Sequence, residues 1–330
     1  MTTPKSSPRP RLWSAFALLA GAALALSACT SGGGKATRTV VVTNSNGKTT
    51  TATTGGATTG GSTSQSPKPG IPVHVALKFE DGSHFGVGIP IIAFFTRKPT
   101  DGIPFQNATK VTVNGASAKG AWFFETSSAD KKYPIEAHYR LQNYWPAHSQ
   151  VHLDLPVKGL SAGAGLSYDD SLTSDFSTGA KNISVVDDTT HMMTVTTDDH
   201  PYGTYPVSLG AADTPTLRGI KVIMEKGVSI CMKGPGYNEC GIKFTQRLTY
   251  GGEYLHSAPW NLRNIGHFDS SNGCTNLTPA DAQKLYAFLE IGDVVTHLNA
   301  AGAKMQLGQG YGDWNVPWSL WQTGGLVRTR

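Results

Sequence analysis

The sequence predicts a mainly β protein: an immunoglobulin-like β-sandwich followed by a second β-domain with one main helix. Short segments of alternating apolar and polar residues, separated by turn residues, recur through residues 71–179 and again from residue 182 onward. Gly, Pro, Thr and Val are plentiful, and only one run of residues has convincing helical spacing. These observations divide the folded part into domains at 71–179 and 180–330.

The first domain is predicted from its strand spacing, which is typical of a small β-sandwich. Asn114-Gly115 and Asp81-Gly82 have the composition of hairpin turns. His148 and His152 share one possible strand face, but without a third ligand they indicate surface residues rather than a metal site. The predicted strands include residues 73–79, 110–113, 121–124, 135–141 and 151–155.

The second domain begins with a predicted hairpin of residues 183–186 and 193–196, and its one helix is predicted over residues 279–290. Thr278 is the expected N-cap, with Asp281 three positions later in a variant of the capping box. Gly292 is the expected C′ residue that stops the helix. One face of this helix is predicted to be buried through Ala282, Leu285, Tyr286 and Leu289.

Charge is unevenly distributed along the chain. Residues 1–70 contain seven Lys or Arg and no acidic residue, whereas residues 71–330 contain 21 basic and 23 acidic residues. The folded part therefore has no basic excess, and nucleic acid is not an expected partner.

The first 29 residues have the organisation of an export signal. A cationic start precedes the apolar run 12–26, which is too short to cross a bilayer as a helix. The run ends in Leu26-Ser27-Ala28-Cys29, which resembles the lipobox of bacterial lipoproteins. That resemblance implies a lipid on Cys29 and attachment to the outer face of the plasma membrane; the alternative is ordinary cleavage near Ala28. Residues 30–70, rich in Thr, Ser and Gly, are predicted to be a flexible tether.

The remaining cysteines differ in context. Cys231 and Cys240 bracket a turn-rich loop in an exported chain, which predicts a disulfide between them. Cys274 is left unpaired, and the ordinary interpretation of a spare cysteine is an inert buried thiol. The polar, Gly-containing turn 271–276 argues against that interpretation.

A thiol nucleophile needs a base, because few thiols are ionised at neutral pH. His256 precedes Cys274 at the end of a predicted strand and is the candidate base. The backbone N–H groups near Gly273 are candidates for an oxyanion hole. The composition alone makes this pairing suggestive.

Four motifs in order make the chain resemble the L,D-transpeptidases of actinobacterial cell walls. They are HSAPW at 256–260, SNGCTN at 271–276, GDVV at 292–295 and GDWNVPW at 312–318. The resemblance covers residues 71–330 and extends to the layout of lipobox, tether, immunoglobulin-like domain and catalytic β-domain.

The resemblance implies roles for individual residues. Cys274 corresponds to the nucleophile and His256 to the general base, oriented by the carbonyl of Ser257. Gly273 belongs to the oxyanion hole, and Asn276 matches the last position of the motif.

Three further residues correspond to the family's substrate site. Tyr237 is similar to the aromatic residue of a lid, Met224 to an apolar residue of the pocket, and Trp260 to a residue packed beside the site. Two features depart from the family pattern: Asn272 stands where a histidine is usual, and the lid carries the cysteine pair.

The reaction implied by the resemblance is acyl transfer without a metal or an organic cofactor. Cys274 would attack a peptidoglycan tetrapeptide stem, release D-Ala and pass the acyl group to another stem, giving a 3→3 cross-link. Carbapenems would be expected to acylate Cys274.

The alternative functions are an L,D-carboxypeptidase, and a non-catalytic wall-binding lipoprotein in which Asn272 marks a decayed site. A sortase is a weaker alternative, because no cysteine of this sequence is followed by a suitably placed catalytic Arg. Cysteine peptidases of the cell-wall amidase type have Cys before His in the chain, which is the opposite of the order here.

Overall fold

The computed structural model describes residues 40–43, 49–52, 70–234 and 237–330, and the side chains among them from residue 70 on, except that of Tyr237. Strands β1 (Val40–Thr43) and β2 (Thr49–Ala52) pair as an antiparallel hairpin within the segment predicted as a tether. The rest of that segment, and the predicted signal with Cys29, lie outside the described residues. This hairpin belongs to a separate unit from residues 66–330, which contain the two domains.

The first domain is built from twelve strands and one short helix, which confirms the predicted immunoglobulin-like fold class. Three sheets have the strand orders β4-β6-β10-β9, β5-β14-β11-β7-β8 and β12-β13-β3. The elements are β3 (Ile71–Val73), β4 (Val75–Leu77), β5 (Ser83–Phe85), β6 (Ile91–Phe95), α1 (Ile103–Ala108), β7 (Lys110–Val113), β8 (Ala116–Ser117), β9 (Gly120–Thr126), β10 (Ile135–Leu141), β11 (Gln150–Leu155), β12 (Ser161–Gly163), β13 (Leu166–Tyr168) and β14 (Leu172–Thr178).

The two predicted turns of this domain differ in outcome. Asn114 and Gly115 have φ values of 51° and 79° and join the paired strands β7 and β8, as a two-residue hairpin requires. Asp81-Gly82 turns the chain between β4 and β5, but β4 pairs with β6 and β5 with β14. The prediction of a hairpin there is wrong, because the chain changes sheets at this turn.

The second domain contains two sheets, with the orders β17-β16-β15-β23-β18 and β19-β20-β21-β22, and the predicted hairpin is the antiparallel pair β15–β16. Their side chains meet in a core that includes Val186, Leu255, Leu277 and Val295. The elements are β15 (Asn182–Asp187), β16 (Met192–Thr197), β17 (His200–Pro206), β18 (Gly219–Val222), β19 (Glu225–Gly234), β20 (Tyr237–Arg247), β21 (Tyr254–Ser257), β22 (Thr275–Leu277), α2 (Pro279–Phe288), β23 (Val294–Leu298) and α3 (Trp318–Trp321), with single 3₁₀ turns at Pro259–Asn261 and Asp313–Asn315.

Helix α2 is the main helix, and its start agrees with the sequence. The Oγ1 atom of Thr278 accepts a hydrogen bond from the backbone N–H of Asp281 at 3.2 Å. The helix ends at Phe288, two residues earlier than predicted, because Leu289 adopts an extended conformation with ψ of 147°. Its buried face packs into the core of the second domain. Because the helix begins directly after β22, this packing also holds the strand that follows the Cys274 turn.

The C-terminal segment joins the two domains. Asp313 accepts a hydrogen bond from Nδ1 of His138 at 2.9 Å, and both side chains are buried. The Arg140 guanidinium lies 4.7 Å from the ring of Trp314 and 4.4 Å from that of Trp321. The first domain therefore holds the end of the second.

Across the described residues, no helix has the length and apolarity to cross a bilayer.

Candidate active site

Cys274 lies at the end of a tight turn that leads into β22. Strand β22 runs parallel to β21, in a register that places Asn276 beside His256. Parallel pairing therefore brings the end of the Cys274 turn next to the strand that carries His256. The thiol is the free cysteine of the described residues and is 6% exposed.

The turn before Cys274 is held by hydrogen bonds to its carbonyl groups. Ser271 donates through Oγ to the carbonyl of Cys274 at 2.6 Å, and Thr216 donates through Oγ1 to that of Gly273 at 2.9 Å. Gly273 has φ of 99°, a backbone conformation that favours glycine. Its N–H donates to Oγ of Ser271 at 3.2 Å, so an incoming oxyanion has to replace that bond.

His256 is oriented by a neighbouring carbonyl. Its Nδ1 donates to the carbonyl oxygen of Ser257 at 2.9 Å, which is the tautomer that leaves Nε2 as a proton acceptor. The Trp260 ring stacks on the imidazole, with 5.9 Å between centroids. The imidazole is buried, whereas Trp260 is 59% exposed and forms an outer wall.

Cys274 and His256 line one cavity of about 110 Å³. In the resting arrangement the thiol donates to the carbonyl of Gly252 at 3.5 Å. Within the described part of the chain, no hydrogen bond joins the thiol to the imidazole. Proton transfer therefore requires the thiol hydrogen to turn from Gly252 toward Nε2 of His256.

Burial keeps both groups neutral at rest. It raises the pKa of the Cys274 thiol to about 12. A backbone hydrogen bond from Tyr254 and the charge of Lys221 oppose this shift, whereas the charge of Glu253 adds to it. Burial also lowers the pKa of His256 below its usual value, although the hydrogen bond to Ser257 opposes this shift. A neutral imidazole beside a neutral thiol is the starting state of a general-base mechanism.

The lowered pKa of His256 has a consequence for activity at acid pH. Since protonated imidazole cannot accept a proton, the rate of Cys274 acylation should rise with pH through the pKa of His256. We expect the midpoint of this acid limb below 6.5, measured as the pH dependence of the second-order rate constant for acylation. A midpoint clearly above 6.5 would contradict the neutral, buried imidazole.

The hairpin β19–β20 forms one wall of the cavity. Cys231 and Cys240 form a disulfide and face each other across the two strands, and Met232 pairs with Glu239 in the same register. Because side chains alternate along a strand, Met232 and Glu239 lie on the face opposite the disulfide, and both line the cavity with Ile242. Sequence reasoning missed these three residues. Strand alternation around the two cysteines could have pointed to Met232 and Glu239, whereas Ile242 lies beside an irregularity in the pairing of the two strands that the sequence does not mark.

Removal of this disulfide should destabilise the hairpin wall. Closing a loop of about ten residues stabilises a protein by about 2–3 kcal/mol in the chain-entropy model. The double variant Cys231→Ser/Cys240→Ser should therefore unfold at lower denaturant than the parent, and its hairpin amides should exchange faster with deuterium. Thioether-capped free cysteines at both positions in a non-reducing peptide map of the parent would contradict the crosslink.

Other predicted site residues have different surroundings. Met224 does not line the cavity. It is buried with Val222 and Tyr311 among the core residues of the first domain, so the structure corrects its predicted position at the pocket. Its backbone N–H donates to the carbonyl of Arg247. The side chain of Tyr237 lies outside the described residues; its backbone begins β20.

The two asparagines of the turn motif both line the cavity. Asn272 is exposed, whereas Asn276 is buried and its Oδ1 has no hydrogen-bond partner among the described residues. Sequence reasoning also missed Asn261 and Ser270, which line the cavity and hydrogen-bond to each other at 2.9 Å. No motif marked them, because they meet only after the loop 261–270 folds back.

The β-fold and this site define a class of protein in which a cysteine and a carbonyl-oriented histidine share a cavity suited to acyl transfer. Residues 181–296 match the family model of the L,D-transpeptidase catalytic domain, and residues 33–161 match that of a bacterial Ig domain. The second match begins inside the segment predicted as a tether.

Relatives and solved structures agree with these matches. L,D-transpeptidase 2 of Mycobacterium tuberculosis is 28% identical over 265 residues, 77% of this chain and 63% of the relative. L,D-transpeptidase 5 of the same species is 27% identical over 257 residues, 76% of this chain and 55% of the relative. An L,D-transpeptidase solved in complex with imipenem has a TM-score of 0.57 at 26% identity, covering 70% of this chain and 100% of that chain. One from Mycobacterium smegmatis has a TM-score of 0.54 at 26% identity, covering 69% and 99%.

Residues 181–296 therefore form an L,D-transpeptidase catalytic domain, and an Ig-like domain precedes it. The matched part of the chain spans less than two thirds of the length of L,D-transpeptidases 2 and 5.

Proposed function

We propose that this protein is a peptidoglycan L,D-transpeptidase that forms 3→3 cross-links through an acyl-enzyme on Cys274. The observation that carries the proposal is the shared cavity of Cys274 and His256, with His256 oriented by the Ser257 carbonyl. Support comes from the L,D-transpeptidase catalytic domain in which this cavity lies.

The first half of the reaction forms the acyl-enzyme. Nε2 of His256 accepts the thiol proton, and Sγ of Cys274 attacks the carbonyl carbon of the third residue of a tetrapeptide stem. The peptide bond to the terminal D-Ala breaks, and His256 returns the proton to the leaving amine. The neutral resting pair means that the charged thiolate exists only as the attack begins.

The second half transfers the acyl group. The side-chain amine of a second stem attacks the thioester, its proton passes to His256, and the carbon–sulfur bond breaks to restore the thiol. N–H groups of the turn that contains Gly273 stabilise the oxyanion, once the bond to Ser271 is exchanged.

Incubation of the purified protein with disaccharide-tetrapeptide tests this function. We expect a cross-linked dimer of the mass of two substrates minus one D-Ala, detected by mass spectrometry. Tripeptide product without dimer would replace the proposal with the L,D-carboxypeptidase alternative. No turnover, together with no carbapenem adduct on Cys274, would favour the non-catalytic wall-binding module.

We also propose that the protein is held at the outer face of the plasma membrane by a lipid on Cys29. The support is the cationic start, the short apolar run and the lipobox-like sequence that ends in Cys29. Cys29→Ala should abolish incorporation of a labelled fatty acid and release the protein from the membrane fraction. Equal labelling of parent and variant would overturn the proposal.

A further inference from the structure

A buried ion pair lies beside the nucleophile turn and is not used by the reaction described above. Lys221, on β18, is fully buried, and its Nζ lies 2.5 Å from Oε2 of Glu253. Glu253 is 9% exposed, and its Oε1 accepts a hydrogen bond from the backbone N–H of Leu217 at 2.7 Å. Both side chains are therefore fixed in place within the second domain. Burial lowers the pKa of Lys221, and the charge of Glu253 and its hydrogen bond oppose this shift.

Glu253 contacts the surroundings of Cys274 in two ways. The preceding residue, Gly252, supplies the carbonyl that accepts the thiol hydrogen bond at 3.5 Å. The side chain of Glu253 also packs against Gly273, where an added methyl group would lie 3.7 Å from Cγ and 3.9 Å from Oε1. Movement of this side chain would thus disturb both the thiol acceptor and the turn.

A buried ion pair of this kind is weak evidence for stability, because taking two charges out of water costs about as much as their attraction returns. Its place next to the reacting thiol indicates another role. A positive charge at Lys221 favours the Cys274 thiolate, and a negative charge at Glu253 disfavours it.

The other titratable groups around the thiol differ in position. His256 and Glu239 line the cavity with Cys274. His297, on β23, is fully buried, and its Nε2 lies 2.8 Å from Oγ1 of Thr275. Burial and Lys221 lower the pKa of His297 well below its usual value, which leaves that ring neutral.

We infer that Lys221 and Glu253 are positioning residues for the nucleophile: the pair holds the Gly252 carbonyl and the Gly273 turn in place and sets the charge balance around the Cys274 sulfur. The inference rests on the proposed role of Cys274. The two single variants should act on the thiol in opposite directions, which a merely structural pair would not produce.

The test is the rate of Cys274 alkylation by iodoacetamide, a small neutral reagent, in the folded protein between pH 6 and 10. Lys221→Met should raise the pH needed for a given alkylation rate by on the order of one unit. At a fixed pH below the thiol pKa, this corresponds to alkylation that is about tenfold slower. Glu253→Gln should shift the profile the other way, and Lys221→Met/Glu253→Gln should fall between them.

Lys226→Met is the matched control, since Lys226 is a half-buried lysine that donates to the carbonyl groups of Tyr286 and Leu289. Its alkylation profile should equal that of the parent. Shifts of the two single variants in the same direction, or no shift beyond this control, would overturn the inference. Should a single variant fail to fold, the double variant compared with the other single variant decides the sign.

Alkylation requires only a reactive thiol, so this readout is independent of the proposed substrate. A parent protein that alkylates with the expected profiles but forms no peptidoglycan dimer would count against the proposed function alone. Normal dimer formation with unshifted profiles would count against the ion pair alone.

Discussion

Replacement of Cys274 by Ala should lower the rate of dimer formation by more than about 10⁴-fold, because the acyl-enzyme cannot form without the sulfur. Intact-mass analysis with a carbapenem should show an adduct on the parent and none on Cys274→Ala. The turn should remain intact in the variant, since its hydrogen bonds run through backbone carbonyls and the Ser271 and Thr216 hydroxyls rather than through the thiol.

Cys274→Ser is the informative companion to this variant. The hydroxyl preserves the shape of the cavity but is a far weaker acid than the thiol, so it should also lose nearly all activity. A variant lacking sulfur at position 274 that still forms the drug adduct would place the nucleophile elsewhere in the chain.

Replacement of His256 by Gln should lower the rate of acylation by about 10²–10⁴-fold. Glutamine can still hydrogen-bond to the Ser257 carbonyl but cannot accept the thiol proton. The acid limb of the pH profile should disappear with the imidazole, because the titrating group is gone. The measurement is the acylation rate of parent and variant across pH 5 to 8.

His267→Gln is a suitable control, since His267 is an exposed histidine of the neighbouring loop and does not line the cavity. Its rate and pH profile should match the parent. An acid limb that survives in His256→Gln would show that another group controls the thiol proton.

Much of the fold was predictable because its signals are local. The alternation of residues 135–141 and 110–113 coincides with β10 and β7, and the Thr278 cap was visible from one hydroxyl and one carboxylate at the right spacing. The turn at Asp81-Gly82 failed because its local chemistry is the same whether the chain returns to its own sheet or crosses to another.

The candidate site was predictable to a similar degree. The motifs around His256 and Cys274 pointed to residues that the structure brings into one cavity. The position of Met224 could not be predicted, because it depends on how the segment between β18 and β19 packs against the core of the first domain. The Lys221–Glu253 pair was invisible for a related reason: 32 positions separate two residues of ordinary composition, and only packing of the two sheets joins them.

The central claim is that the sulfur of Cys274 becomes covalently bonded to the stem peptide. The most direct measurement is peptide mapping of the purified protein after brief incubation with disaccharide-tetrapeptide and acid quenching. The account predicts an adduct equal to the substrate minus one D-Ala, as a thioester on the peptide that contains Cys274 and removable by hydroxylamine. Released D-Ala with no acyl group on that peptide, or an acyl group on another residue, would contradict it.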